Sequence, residues 1–310
     1  MYTVRDYGRM MSDDVRLEAY RAAISSSVRP GDVVIDIGAG TGICTLLALR
    51  AGASHVYAIE SNAAVQLVAE VCAQNGFRGK VTVVHGLSTD FEIGGGRRAD
   101  VVVSDLRGVS PLFSKHLSAL ADARNRLLVP GGKLIPVKDR LFAALASAEA
   151  THRAIFKPHF DAPLGFDFSS VGEALVNAFH HDREVPIAKS QVVSETLTLG
   201  DLTYGETPPE LVRGEGAVTA SRDAEVHGIV LWFEGQLAEG VSLSSFDCRV
   251  YARGFLPLRT PLRVRAGEKL ELSVFARETR DDYLWAWSLG RPGEPTQRFT
   301  TLHPFMNHHK

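Results

Sequence analysis

The chain holds 310 residues, long enough for two domains, and its 45% hydrophobic and 23% charged residues are an ordinary globular composition. A net charge of −2 argues against a broad basic surface for nucleic acid or an anionic membrane, and no apolar run approaches the roughly 20 residues of a membrane span. Cys44, Cys72 and Cys248 are odd in number without metal-ligand spacing, and no signal-like segment opens the chain, so buried reduced thiols in a cytoplasmic protein are expected.

In chain order, residues 13–28 carry Val15, Ala19, Ala22, Ala23 and Ile24 at helical spacing, and Pro30-Gly31 stops that helix. Strands are predicted at 33–37, 55–60, 80–85, 99–104 and 132–137, with helical stretches at 42–51, 62–75 and 112–128 between them. Fully apolar strands such as Asp100-Val101-Val102-Val103-Ser104 belong in a parallel sheet covered on both faces. Residues 1–137 therefore read as a doubly wound, Rossmann-like α/β domain with its ligand at the carboxyl ends of the strands.

From 138 to 310 the pattern changes. Period-two segments at 191–199, 226–233, 261–265 and 269–275, separated by glycine and proline turns, indicate an antiparallel β-barrel or sandwich. Between the halves, residues 151–190 hold His152, Phe156, Phe160, Phe166 and Phe168 without clear periodicity, too aromatic for a polar linker. Trp285 and Trp287 alternate in a late strand and are expected to face the barrel core or a domain interface together. His180-His181-Asp182 reads as a solvated loop and His303, His308 and His309 as a frayed terminus, so no metal site is expected.

Chemistry concentrates at Val33-Val34-Ile35-Asp36-Ile37-Gly38-Ala39-Gly40-Thr41-Gly42 and at Glu60, the acid ending the second strand. Glycine adopts positive φ and lets a ligand lie against the backbone, a helix then opens with free N–H groups, and the distant acid suits a ribose diol. The dinucleotide fingerprint needs a glycine at position 43, where Ile43 stands. G-x-G-x-G, with Asp36 two residues before its first glycine, resembles motif I of class I S-adenosylmethionine-dependent methyltransferases. A non-catalytic module binding that cofactor is the alternative, and a nicotinamide-dependent oxidoreductase a lesser one.

The wider layout resembles the protein arginine methyltransferases. The resemblance rests on Tyr7-Gly8-Arg9-Met10-Met11, Tyr20-Arg21, the turn at 33–42, Glu60, Ser104-Asp105-Leu106-Arg107-Gly108, Pro130-Gly131-Gly132-Lys133-Leu134-Ile135-Pro136 and Gly228-Ile229-Val230-Leu231-Trp232-Phe233. It implies a seven-strand-type methyltransferase domain followed by a β-barrel, with S-adenosylmethionine as cofactor. The methyl acceptor would be a nitrogen, or an oxygen, on a protein, peptide or small molecule. The resemblance also implies a homodimer, with the 151–190 segment as the dimerisation arm.

Residue by residue, Arg21 matches the arginine that grips the methionyl carboxylate, its other reading being a solvated helix arginine. Tyr7 and Met10 match a helix folding over the cofactor, or a hydrophobic staple onto the core. Asp36, Gly38 and Gly40 match the methionyl side of the pocket, Glu60 and Ser61 the ribose side, and Leu87 and Ser88 the turn at the adenine. His85, at a strand end in this turn, is read as structural. Two departures stand on the acceptor side. Where the family has two glutamates, this chain has Asp105, the candidate catalytic residue, and Ser114. Where it has a Thr-His-Trp loop, this chain has Cys248-Arg249-Val250-Tyr251. Asp105 with Arg107 or Arg249 at the pocket mouth would favour a neutral or partly anionic acceptor. A structural salt bridge between Asp105 and Arg107 is the other reading.

Overall fold

The computed structural model describes residues 2–160, 163–280 and 282–302; His303, His308 and His309 lie outside the described residues. Thr3 and Asp6 cap each other at the start of helix α1 (Val4–Met11). Asp13 caps α2 (Asp14–Ser27) by accepting the Arg16 N–H. Strand β1 (Val33–Ile37), α3 (Ile43–Arg50), β2 (His55–Glu60), α4 (Val68–Gln74), β3 (Val81–His85), β4 (Ala99–Ser104), α5 (His116–Asp122) and β5 (Leu128–Ile135) follow. The five strands pair in parallel in the order β3-β2-β1-β4-β5, so the direction of winding reverses between β1 and β4. Val34, Ile35, Val102 and Val103 are buried in it, as apolar strands covered on both faces require.

After β5 the chain leaves for the second half, so this sheet has five strands. Strand β6 (Lys138–Ala146) opens that half and leads into α6 (Glu149–Phe160) and α7 (Ser169–Val176). These helices occupy the stretch in which the sequence showed no periodicity. The strands that follow are β7 (His180–His181), β8 (Leu197–Thr203), β9 (Leu211–Thr219), β10 (Ala224–Ala238), β11 (Val241–Ser244), β12 (Gly254–Val264), β13 (Lys269–Glu278), β14 (Tyr283–Gly290) and β15 (Gln297–Thr300). They form antiparallel sheets, one in the order β7-β12-β10-β6-β8 with β11 on β10, the other β15-β14-β13-β9. Trp285 and Trp287 both lie buried in this half.

His180-His181-Asp182 departs from the solvated loop expected of it. Its two histidines pair with Gly254 and Phe255, and Asp182 is buried, accepting from Arg253 N at 2.8 Å, Arg253 Nε at 2.7 Å and Ile187 N at 2.7 Å. A carboxylate offers four lone-pair sites, and this one is held by a side chain far away in sequence. Among the described residues, no helix is long and apolar enough to cross a membrane, and no three metal-ligating side chains gather.

Candidate active site

At the carboxyl end of the parallel sheet lies a cavity of about 620 Å³. One wall is the glycine turn. Gly38 has φ +77° and Gly40 +55°, and a Cβ on them would stand 2.6 Å from Leu106 and 2.8 Å from the Tyr7 ring, so both strain and contact demand glycine. Asp36, buried behind the turn, accepts from the Thr45 hydroxyl at 2.7 Å, and burial pushes its carboxyl up from 3.8 to about 6. Glu60 accepts from Gly40 N at 3.2 Å and Asn62 N at 2.9 Å, placing its carboxylate at the tip of β2. Helix α1 covers the opening with Tyr7 and Met10, and Ser61 lines the wall beside Glu60. Burial, then the neighbouring Glu60, push the Tyr7 phenol up to about 12.

Leu87 and Ser88 do not line this cavity. Leu87 is exposed, and the buried Ser88 accepts from Arg126 through its carbonyl. His85 is tied to the Ser61 carbonyl at 3.1 Å, a structural contact.

Arg21 requires a correction. It is exposed and paired with Glu18 on the outer face of α2, away from the cavity. The arginine this helix sends inward is Arg16, five residues earlier and well round the helix at 3.6 residues per turn. Arg16 lies on the face of Tyr20, Ala23, Ile24 and Ser27, all buried, whereas Val15 is exposed. Of the stripe expected from the sequence, Ala23 and Ile24 are buried and Val15 is not, and the fully buried Tyr20 is the signal that turns the inward face toward Arg16.

The far wall is a charge network. Arg16 Nε donates to Asp105 at 2.5 Å, the Tyr251 hydroxyl sits 2.8 and 2.9 Å from the two Asp105 oxygens, and Arg107 approaches at 3.3 Å. Burial alone would raise the Asp105 carboxyl, but Arg16 and Arg107 outweigh it and hold it below the usual carboxylate range. Arg107 is fully buried and donates to Asp139 at 2.9 Å, the Tyr20 hydroxyl at 2.7 Å and the Tyr251 hydroxyl at 3.1 Å, with the Phe233 ring 5.2 Å away. Asp139 in turn accepts from Tyr204 at 2.5 Å, and His116 Nε2 lies 2.9 Å from that hydroxyl. Because Tyr204 spends its proton on Asp139, His116 donates through Nε2, which agrees with its unpartnered Nδ1. Burial keeps His116 neutral, its pKa lowered to about 3.

Asp105 is thus joined to Arg107, but as one link in a larger network. Ser114 does not line the cavity. It has φ +47°, and its N–H donates to Asp282 on the β13–β14 hairpin, while Phe113 faces the cavity. From the barrel, Arg249, Val250 and Tyr251 complete the lining, the Val250 N–H donating to Asp13 at 2.9 Å. Arg16, Tyr251 and Arg183 are among the lining residues whose roles the sequence did not disclose.

A family profile described as ribosomal protein L11 methyltransferase (PrmA) matches residues 18–136. The chain is 32% identical over 248 residues to the probable protein arginine N-methyltransferase 3 of Arabidopsis thaliana, covering 73% of this chain but only 40% of that protein's length. It is 28% identical over 273 residues to the arginine N(omega)-methyltransferase of Streptomyces achromogenes subsp. streptozoticus, covering 86% of this chain and 74% of that one. Among solved structures, the Trypanosoma brucei PRMT1 enzyme-prozyme heterotetrameric complex with AdoHcy superposes with a TM-score of 0.83 at 22% identity, over 95% of this chain and 97% of that one.

Proposed function

We propose, for a chain that is a protein arginine methyltransferase-like class I S-adenosylmethionine-dependent methyltransferase, that it transfers the cofactor's methyl group to a guanidino nitrogen of arginine. The observation carrying this reading is the continuity of one cavity, from the Asp36–Gly40–Glu60 cradle to Asp105 and Tyr251. A cofactor at one end and an acceptor at the other then meet in line, and that positioning is the larger part of such a catalyst. The relatives whose names specify an acceptor name arginine. Neither a non-catalytic role nor a nicotinamide reaction finds support among them.

The residues present fit the cofactor. Arg16 faces the cavity as a fork for the methionyl carboxylate, Asp36 as counter-charge for its ammonium, and Glu60 with Ser61 as acceptor groups for the ribose hydroxyls. When bound, the cofactor would supply a sulfonium methyl: the carbon–sulfur bond would break as the carbon–nitrogen bond forms, sulfur keeping the electron pair and the nitrogen passing its proton to solvent at the open end of the cavity. Tyr7 and Met10 close the site from above and exclude water. Asp105 faces the acceptor side, positioned by Arg107 and Tyr251. Incubating the protein with S-adenosylmethionine and arginine compounds, with mass spectrometry of the products, tests the reading. Methylated arginine is expected, and failure of S-adenosylhomocysteine to form with any of them refutes it.

We also read the protein as a homodimer. The arm exposes Leu164, 95% accessible, together with Phe166 and Phe168, an apolar patch that favours a partner surface. Light scattering is expected to give a dimer that Phe166→Asp dissociates, and a monomer at micromolar wild-type protein refutes the pairing.

A further inference from the structure

We propose that the acceptor carries a carboxylate near its guanidinium, and that Arg249 and Arg183 at the cavity mouth receive it. The proposal rests on the arginine-methylation reading and specifies the substrate within it.

The first observation is that the acceptor side offers a cation no free carboxylate among the described residues lining the cavity. Asp105 is enclosed by Arg16, Arg107 and Tyr251. Arg107 and Tyr251 hold it independently of Arg16. Asp36 is buried against Thr45, Glu60 is held by Gly40 and Asn62, and Asp6 closes the cap of α1 with Thr3.

The second is that Arg183 and Arg249 line the same cavity, are exposed, and make no hydrogen bond or ion pair with any described residue. Two unpaired guanidinium groups repel an acceptor guanidinium unless the acceptor brings its own anion.

The third is that the fold holds both groups near the acceptor side. Arg249 stands two residues before the tyrosine that touches Asp105, and its neighbour Val250 is pinned to Asp13. Arg183 follows Asp182, whose carboxylate grips Arg253 at the other end of the same turn. Two guanidinium forks lining one cavity suit a carboxylate, which each can bind through paired N–H groups. That carboxylate can be the α-carboxylate of arginine itself or an acidic residue flanking arginine in a peptide.

S-adenosylhomocysteine formation is measured with L-arginine, with agmatine, which lacks the carboxylate, and with blocked Gly-Arg-Gly and Asp-Arg-Gly peptides. The KM of L-arginine or of the Asp-Arg-Gly peptide is expected at least tenfold below that of its uncharged counterpart, and which of the two shows the gap identifies the source of the carboxylate. The R183Q/R249Q double variant is expected to close that gap by raising the KM of the carboxylate-bearing acceptor, with cofactor binding by calorimetry reporting that the variant is folded. Equal KM values within both pairs, or a gap that survives the double variant, overturn the proposal. Absence of product from all four compounds with cofactor binding intact overturns the arginine reading itself.

Discussion

Replacing Asp36 by asparagine separates what that carboxylate costs the fold from what it gives the cofactor. Burial raises its pKa from 3.8 to about 6, so the folded chain prefers the protonated form. Below about pH 4 the carboxyl is neutral whether the chain is folded or not, and no penalty exists. Between about pH 4 and 6 the unfolded chain ionises first, so stability falls as pH rises, and above about 6 the penalty is complete. At 1.36 kcal/mol per pK unit it reaches ~3 kcal/mol. The asparagine side chain carries no charge and can still accept the Thr45 hydroxyl, which lies 2.7 Å from Asp36. Thermal unfolding of cofactor-free protein, followed by circular dichroism across pH, is expected to show the variant and wild type converging near pH 4. They separate to on the order of 5 °C in favour of the variant above pH 6. Calorimetry at neutral pH is expected to show the opposite preference for S-adenosylmethionine, weaker by at least tenfold in the variant, because the ammonium loses its counter-charge. A melting difference that does not change with pH, or a variant less stable at pH 7.5, refutes the reasoning.

Arg16→Ala is expected to weaken S-adenosylhomocysteine binding by tenfold or more in calorimetry, while Arg21→Ala leaves it within twofold, because only Arg16 reaches the cavity; equal losses would sink the assignment. Arg107→Met strands the fully buried Asp139 without its cation and is expected to cost about 3–5 kcal/mol in urea unfolding. Adding Asp139→Asn should restore part of that, since the uncompensated charge is then gone. A double variant as unstable as the sum of the two singles would show that the pair is not coupled.

The cofactor half was legible because its signals are local. The glycine turn sits between two apolar strands, and the acid follows at the tip of the second, so Asp36, Gly38, Gly40 and Glu60 fall into one cavity as their spacing implied. Arg21 faces away for a geometric reason: α2 offers two arginines, Arg16 and Arg21, and only the identity of the buried face selects between them. The helices α6 and α7 show no common period in the sequence because they are short and joined by a segment whose exposed Leu164, Phe166 and Phe168 belong to neither. The far wall was illegible because it is built from pairs remote in sequence, Asp13 with Val250, Asp105 with Tyr251 and Arg107 with Asp139. No period or motif encodes such contacts; they exist only once the barrel has docked on the sheet.

The two departures from the arginine methyltransferase pattern are physically one. Tyr251, in the stretch standing for the Thr-His-Trp loop, reaches both oxygens of Asp105, the residue standing for the first glutamate. A side chain one methylene longer at 105 would push its carboxylate into that hydroxyl and into Arg107. The short acid, the tyrosine and the buried arginine therefore fit only as a set, and Asp139 closes the balance by giving Arg107 a second anion. With Asp105 matched inside the protein, the positive charge left at the cavity mouth on Arg183 and Arg249 has no partner among the described residues. Selection of the acceptor then falls to those two groups, and not to a pair of carboxylates clamping the guanidinium.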